Sequence, residues 1–194
     1  MSIKIHIYLF LMLAYMYASN NLSIFITYYI FIIMHELAHI IVALLLKVDV
    51  REVTLLPIGI NAKYEAKISN KKELIISLAG PLASFLFSII LKNETFKIIN
   101  VCIGFYNLIP ISPFDGGKII KNILRIILGE RTGRKINYKI SKTFVAFICI
   151  ISIIGVAYFK NYYMVILAIY IFYISKEELE KEQFYGIINY LQTS

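Results

Sequence analysis

Apolar runs close to the length of a membrane-spanning helix are the feature that most constrains the fold of this chain. Hydrophobic residues make up 59% of it and charged residues only 16%, whereas about 25% of a typical soluble domain is charged. A helix crosses a bilayer in about 20 residues. The apolar runs cover residues 4–19, 23–46, 74–91, 98–114, 143–159 and 161–175. The sequence therefore predicts an all-α integral membrane protein with about six transmembrane helices.

The positions of the basic residues predict how these helices are oriented. Cytoplasmic loops of membrane proteins carry an excess of Lys and Arg. If the N-terminus is cytoplasmic, all but three of the 20 basic residues fall in cytoplasmic segments, and the exceptions are Lys92, Lys97 and Lys160. We therefore expect cytoplasmic N- and C-termini. The net charge of +8 is then a signal of topology, and we expect no nucleic-acid partner.

The polar segments predict what lies between and after the spans. Residues 50–66, in the loop after the second span, are β-prone and are broken by Pro57 and Gly59, which favours a small β element over the alternative of an irregular loop. Polar residues recur at helical spacing along 116–128, which indicates a basic amphipathic helix. We expect one polytopic domain at 1–175 and a short cytoplasmic tail at 176–194.

The second apolar run contains His35-Glu36-Leu37-Ala38-His39, the H-E-x-x-H pattern of zinc peptidases. On a helix, two histidines four residues apart share one face. Two neutral imidazoles are good zinc ligands and leave room for a third protein ligand and a water. Glu36 is then the candidate general base that takes the proton of that water. The alternative is that both histidines only pack in a helix interface.

Asp115 is the candidate third ligand. Among 12 acidic residues, only Glu36 and Asp115 lie within or at the end of an apolar run. A charge near the bilayer centre costs roughly 2.5 to 3.5 kcal/mol, so such residues are functional candidates. Two prolines and two glycines in 107–117 indicate an interrupted helix that lines a polar cavity. The alternative is an ordinary helix end with a solvated carboxylate.

Two further residues are assigned to substrate binding, and one segment is assigned to packing. The amide of Asn107 can orient a substrate or stabilise an oxyanion, or it can simply bridge two helices. Pro113, in the same interrupted segment, is grouped with it as a substrate-binding residue. Small residues in Gly80-Pro81-Leu82-Ala83-Ser84 suit a close approach of helices, so we interpret this segment as packing.

These residues resemble the site-2 protease family of intramembrane metalloproteases, in which a histidine pair on one span and an aspartate on a later span hold zinc. The resemblance rests on residues 35–39 and 107–117, with weaker support from 79–81 and 56–59, and its core covers about 23–128. It implies an intramembrane zinc metalloendopeptidase that cleaves a membrane-tethered protein within or near its membrane segment. It also implies one Zn²⁺ per chain, held by His35, His39 and Asp115.

Within that family, the small layout and the Pro-Phe-Asp-Gly-Gly sequence are most similar to the stage IV sporulation (FB-type) metalloprotease. This similarity implies a bacterial cell membrane location, in the mother-cell membrane around the forespore, and a sigma-factor precursor as substrate. It also implies control by regulatory membrane proteins. One departure is Phe114, where the family has Leu. A second is that we expect no nucleotide-binding CBS domain after the last span.

Two other classes of function remain open on the sequence alone. A membrane metal transporter also places histidines and acids within spans, but it predicts ligands spread along several helices, whereas here they cluster in one hydrolase-type motif. A non-catalytic scaffold would bind a substrate without cutting it, and the intact Glu36 argues against that.

Overall fold

The structure is a computed structural model and describes residues 2–5, 7–56, 59–64, 68–112, 114–159, 168–169, 171–173, 175–176 and 180. The chain forms two compact units, Met1–Asn107 and Leu108–Ser194. The first unit contains a helical group and a small sheet, and the second contains a helical hairpin.

Four helices form most of the first unit: α1 (Ile7–Ala18), α2 (Leu22–Leu45), α3 (Asn70–Ile90) and α4 (Glu94–Asn107). The helix α3 packs against both α2 and α4. Its N-terminus is capped by Ser69, whose hydroxyl accepts a hydrogen bond from the backbone N–H of Lys72. Lys72 in turn donates to the carbonyl of Leu46, just after α2, at 2.8 Å. The start of α3 is therefore tied to the end of α2.

A three-stranded sheet lies at this end of α2. Its strands are β1 (Ser2–Ile5), β2 (Val50–Leu56) and β3 (Gly59–Tyr64), in the order β1-β2-β3. The pair β1 and β2 is parallel, and the pair β2 and β3 is antiparallel. Apolar side chains of the sheet and of the two helices form one buried cluster, which comprises Ile40, Ala43, Val48, Val50, Val53 and Ile76. This burial anchors the sheet to α2 and α3.

The second unit is built on α5 (Asp115–Leu128) and α6 (Glu130–Phe159), which pack against each other. The chain turns between them at Gly129, whose φ of 80° is readily adopted only by glycine. A Cβ atom on Gly133 would meet the backbone of Leu124 and Arg125, so this glycine lets the two helices approach closely. The helix predicted at 116–128 is thus present as α5.

The mostly helical fold predicted from the sequence is confirmed, although several elements differ in length. Among the described residues, three helices are long and apolar enough to span a membrane, namely Leu22–Leu45, Asn70–Ile90 and Glu130–Gly155. The first apolar run begins as β1, and α1 has 12 residues, about 18 Å against a hydrocarbon core of about 30 Å. The six-span count, whose last run falls mostly outside the described residues, stays a prediction.

Candidate metal centre

The helix α2 places both histidines of the H-E-x-x-H motif on its buried face. That face is formed by Phe25, Ile32, His35, His39, Ile40 and Ala43, which recur at helical spacing. His35 is 1% exposed and His39 is 5% exposed. Glu36 follows on the next position of the helix and is half-buried. The motif therefore forms in the structure as the sequence predicted.

The two imidazole rings converge through the same ring nitrogen. The Nε2 atoms of His35 and His39 are 3.2 Å apart, and the ring planes are inclined by 76°. Two ligands bound tetrahedrally to one zinc ion at 2.0–2.1 Å are separated by about 3.3 Å. The spacing of the two nitrogens therefore suits a shared zinc ion.

The other ring nitrogen of each histidine is bonded to α3. The Nδ1 atom of His39 lies 2.6 Å from the carbonyl oxygen of Ile76, and that of His35 lies 2.8 Å from the hydroxyl of Ser84. A carbonyl oxygen can only accept, so Nδ1 of His39 carries the proton and its Nε2 presents a lone pair. Metal-binding histidines are commonly held in this way by a second partner.

Gly80 keeps the space beside the two Nε2 atoms open. A Cβ atom at this position would overlap both Nε2 atoms and the neighbouring carbon of His39. Any residue other than glycine would therefore push the rings apart or fill the volume between them. The open space and the two converging nitrogens fit a metal ion. Two imidazole nitrogens are also the donors that an H-E-x-x-H motif offers to zinc.

Asp115 lies in the second unit, as the first residue of α5, and it is 5% exposed. The partial positive charge of a helix N-terminus stabilises a carboxylate there. The ammonium group of Lys118, one turn later, lies 3.4 Å from Oδ1 of Asp115. The Asp115 carboxylate is thus held at the start of the helix.

The two glycines after Asp115 allow the preceding segment to pack on the first turn of α5. A Cβ atom on Gly116 would overlap the carbonyl of Leu108, and one on Gly117 would overlap the backbone of Ile111. The chain is not helical between Asn107 and Asp115 at the positions described. The helix is therefore interrupted here, as the two prolines and two glycines of the sequence predicted.

Of the two residues assigned to substrate binding, the structure describes only Asn107. Asn107 is the last residue of α4, is half-buried, and donates one amide N–H to the carbonyl of Ile103 at 3.0 Å. One of its two N–H donors is thus used by its own helix. Pro113 lies outside the described residues. For both residues, substrate binding stays a prediction.

Sequence reasoning missed the role of α3 in this centre. Residues 80–84 were interpreted as packing, and Ile76 was not considered at all. A signal was nevertheless present, because positions 76, 80 and 84 repeat every four residues, as do His35 and His39. Two helices with the same four-residue repeat can place successive residues opposite each other.

Comparisons with known proteins agree with this centre. The model of peptidase family M50 matches residues 23–92 and 94–151. A zinc metalloprotease of Methanocaldococcus jannaschii is 29% identical over 80% of this chain and 49% of its own length. Stage IV sporulation protein FB of Bacillus subtilis is 27% identical over 74% of this chain and 55% of its own length.

A solved structure is also similar. The site-2 protease from Methanocaldococcus jannaschii has a TM-score of 0.70 and 27% identity, over 91% of this chain and 90% of that chain. The chain spans about half the length of the two curated relatives described above. The matched family residues include both histidines and Asp115. The chain therefore belongs to peptidase family M50, the site-2 protease family of intramembrane zinc metalloproteases.

Proposed function

We propose that this chain is a zinc-dependent intramembrane endopeptidase that cleaves a membrane-tethered protein within or near its membrane segment. The observation that carries the proposal is the buried pair His35 and His39, with Nε2 atoms 3.2 Å apart and each Nδ1 already bonded to α3. Buried imidazoles arranged in this way have one lone pair each directed at the same point. Family membership supports the same chemistry.

Asp115 is proposed as the third ligand, for one Zn²⁺ per chain. The support is its burial at 5% exposure, its place at an interruption of the helical chain, and the resemblance of 107–117 to the family. A buried carboxylate in a membrane protein requires a positive partner. Lys118 supplies one at 3.4 Å, with a side chain that is 43% exposed.

Each residue of the proposed site has a distinct role in peptide hydrolysis. Bound zinc supplies a Lewis acid that polarises the scissile carbonyl and makes a water molecule more acidic. Glu36 accepts the proton of the attacking water and returns it to the leaving amine. His35, His39 and Asp115 hold the metal. Asn107, through its remaining N–H, and Pro113 contribute to binding the unwound substrate segment.

The proposed setting is the bacterial cell membrane, with cytoplasmic termini. The substrate is a membrane-tethered protein, and other membrane proteins regulate its cleavage. Similarity to stage IV sporulation protein FB supports a role in sporulation, in the mother-cell membrane around the forespore. A sigma-factor precursor is the substrate that the resemblance implies. A metal transporter fits less well, because it would need ligands spread along the helices. On α2 the one acidic residue is Glu36, next to the proposed ligand His35.

The test is a proteomic comparison of cells that carry the native chain, Glu36→Gln or Glu94→Gln. Glu94 is an exposed carboxylate at the start of α4 and serves as the matched control. We expect at least one membrane-tethered protein to accumulate uncleaved with Glu36→Gln only. If the three strains have the same membrane-protein fragments while the native chain is expressed, the protease proposal is wrong.

A further inference from the structure

One face of α3 carries three residues spaced four apart, Ile76, Gly80 and Ser84, and each serves the histidine pair differently. The carbonyl of Ile76 accepts from His39, Gly80 leaves open the space beside both Nε2 atoms, and the Ser84 hydroxyl bonds His35. The partners lie 37 and 49 residues away from the histidines in sequence. Ile76 acts through its backbone carbonyl and Gly80 through the absence of a side chain. Ser84 is therefore the residue of the three whose side chain contacts a histidine.

We infer that Ser84 is a positioning residue, which sets the ring orientation and the tautomer of His35 for metal binding. The inference rests on the proposed zinc site and adds a residue to it. Ser84 is 0% exposed and His35 is 1% exposed, so the hydroxyl, and not bulk solvent, is the partner of Nδ1. Their atoms are 2.8 Å apart, which is a good hydrogen-bond distance.

The chemistry of the partner differs between the two histidines. The carbonyl of Ile76 only accepts, so His39 is held in one tautomer. A hydroxyl can donate or accept. Without metal, His35 can keep its proton on Nε2, facing the lone pair of His39 at 3.2 Å, while Ser84 donates to Nδ1. With metal bound, the proton would lie on Nδ1, which would donate a hydrogen bond to the Ser84 hydroxyl oxygen, and the lone pair of Nε2 would be available to the metal.

Ser84 therefore satisfies His35 in both states, and no buried ring nitrogen is left without a partner. A carbonyl in place of the Ser84 hydroxyl could not do this. It only accepts, so it would hold the proton of His35 on Nδ1, and in the metal-free protein the two Nε2 lone pairs would face each other at 3.2 Å. The hydroxyl is also not simply satisfied by its own helix. Ser88 and Ser152 donate to carbonyls three and four residues earlier in their helices, whereas Ser84 bonds to a ring on another helix.

The variants that test this are Ser84→Ala, Ser84→Val and Ser84→Thr, with Ser88→Ala as the control. Val and Thr have nearly the same shape but differ by the hydroxyl, so the pair separates hydrogen bonding from packing. Ser88 lies one turn further along α3 and is half-buried, with its hydroxyl bonded to Phe85 at 2.7 Å. Each protein is purified as the full chain in detergent, stripped of metal and titrated with Zn²⁺ against a chelator. Visible spectra are recorded with Co²⁺.

Loss of an outer partner of a metal-bound histidine typically lowers metal affinity about 10- to 100-fold. We expect this loss in Ser84→Ala and Ser84→Val, together with altered Co²⁺ absorption bands. We expect affinity near the native value in Ser84→Thr and Ser88→Ala. Native affinity and a native Co²⁺ spectrum in a folded Ser84→Val or Ser84→Ala protein would overturn the inference, and so would equal losses in the Val and Thr variants. A native chain that binds no Zn²⁺ would instead overturn the proposed function, and the inference with it.

Discussion

The chemistry of the candidate centre depends on which nitrogen of each histidine presents a lone pair. In the structure, α3 engages both Nδ1 atoms, and both Nε2 atoms converge. Glu36 follows His35 directly on α2, and its proposed role is proton transfer and not metal binding. At the scale of single residues, metal binding and proton transfer should therefore be separable by substitution.

Glu36→Gln should retain zinc and lose cleavage. The amide matches the carboxylate in size, so the fold and the metal centre should survive, whereas loss of a general base removes about 10² to 10⁴ of the rate. Zinc content of the purified protein and cleavage of a co-expressed membrane-tethered substrate are measured from the same cells. Undiminished cleavage with zinc present would show that Glu36 is not the base.

Asp115→Ala should lower zinc content sharply, as should His35→Ala and His39→Ala, because each removes one of three proposed protein ligands. Asp49→Ala is the control, since Asp49 is an exposed acid in the segment after α2. Elemental analysis of the purified proteins gives the zinc content. Full zinc occupancy in Asp115→Ala would place the third ligand elsewhere and contradict the assignment of 107–117.

At the scale of elements, the centre is produced by the packing of α2 against α3. Three successive turns of α3 face the histidines, with the carbonyl of Ile76, the open space at Gly80 and the hydroxyl of Ser84. Pro81 lies within α3 and is buried, and it has no N–H to offer the carbonyl of Ser77. The carbonyl that accepts from His39 is that of Ile76, so the face of α3 that meets the histidines combines a backbone acceptor, a glycine and a buried hydroxyl.

Gly80→Ala should reduce zinc binding more than it reduces stability. Its methyl group would occupy the volume next to both Nε2 atoms, which must be open for a metal. Gly104→Ala is the matched control, because the atoms nearest to its methyl group would belong to the ring of Phe85, a side chain that can shift. Zinc content and thermal unfolding of both variants are compared. Native zinc content in Gly80→Ala would mean that the rings can move aside without losing the metal.

At the scale of the whole molecule, the orientation in the membrane follows from charge and from the pairing of strands. β1, before α1, lies beside β2, after α2, and Ser2 pairs with Glu52. This pairing predicts that residues 2–5 and the segment after α2 lie on the same side of the membrane. The basic residues predict that this side is cytoplasmic.

Cysteine labelling can test this topology. In a background without Cys102 and Cys149, single cysteines at positions 60 and 130 should react only with a reagent that enters the cytoplasm. A cysteine at position 93, between α3 and α4, should react from the outer side and serves as the control. Labelling of position 60 or 130 from outside would contradict both the predicted orientation and the six-span arrangement.

The local signals of the sequence predicted the candidate metal ligands, the proposed chemistry and most helices. Apolar runs, the H-E-x-x-H spacing and the acid at the interrupted segment are patterns within a few residues, and helical periodicity converts them directly into shared faces. The family could be recognised from the same residues. Lengths of elements were less predictable, because the apolar run at 4–19 includes Ile5, the last residue of β1, and local hydropathy does not mark where the strand ends and α1 begins.

The partners of the two histidines were decided only by the tertiary structure. His35 meets Ser84, and His39 meets Ile76, across 49 and 37 residues of sequence, and one of these partners is a backbone carbonyl that every residue possesses. The strands β1 and β2 that pair are also far apart in sequence, since Ser2 pairs with Glu52. Such contacts depend on how helices pack and in which register, which a local pattern of residues does not specify. The sequence therefore determined which groups can bind a metal, and the packing of α2 on α3 decided which nitrogen atoms present their lone pairs to it.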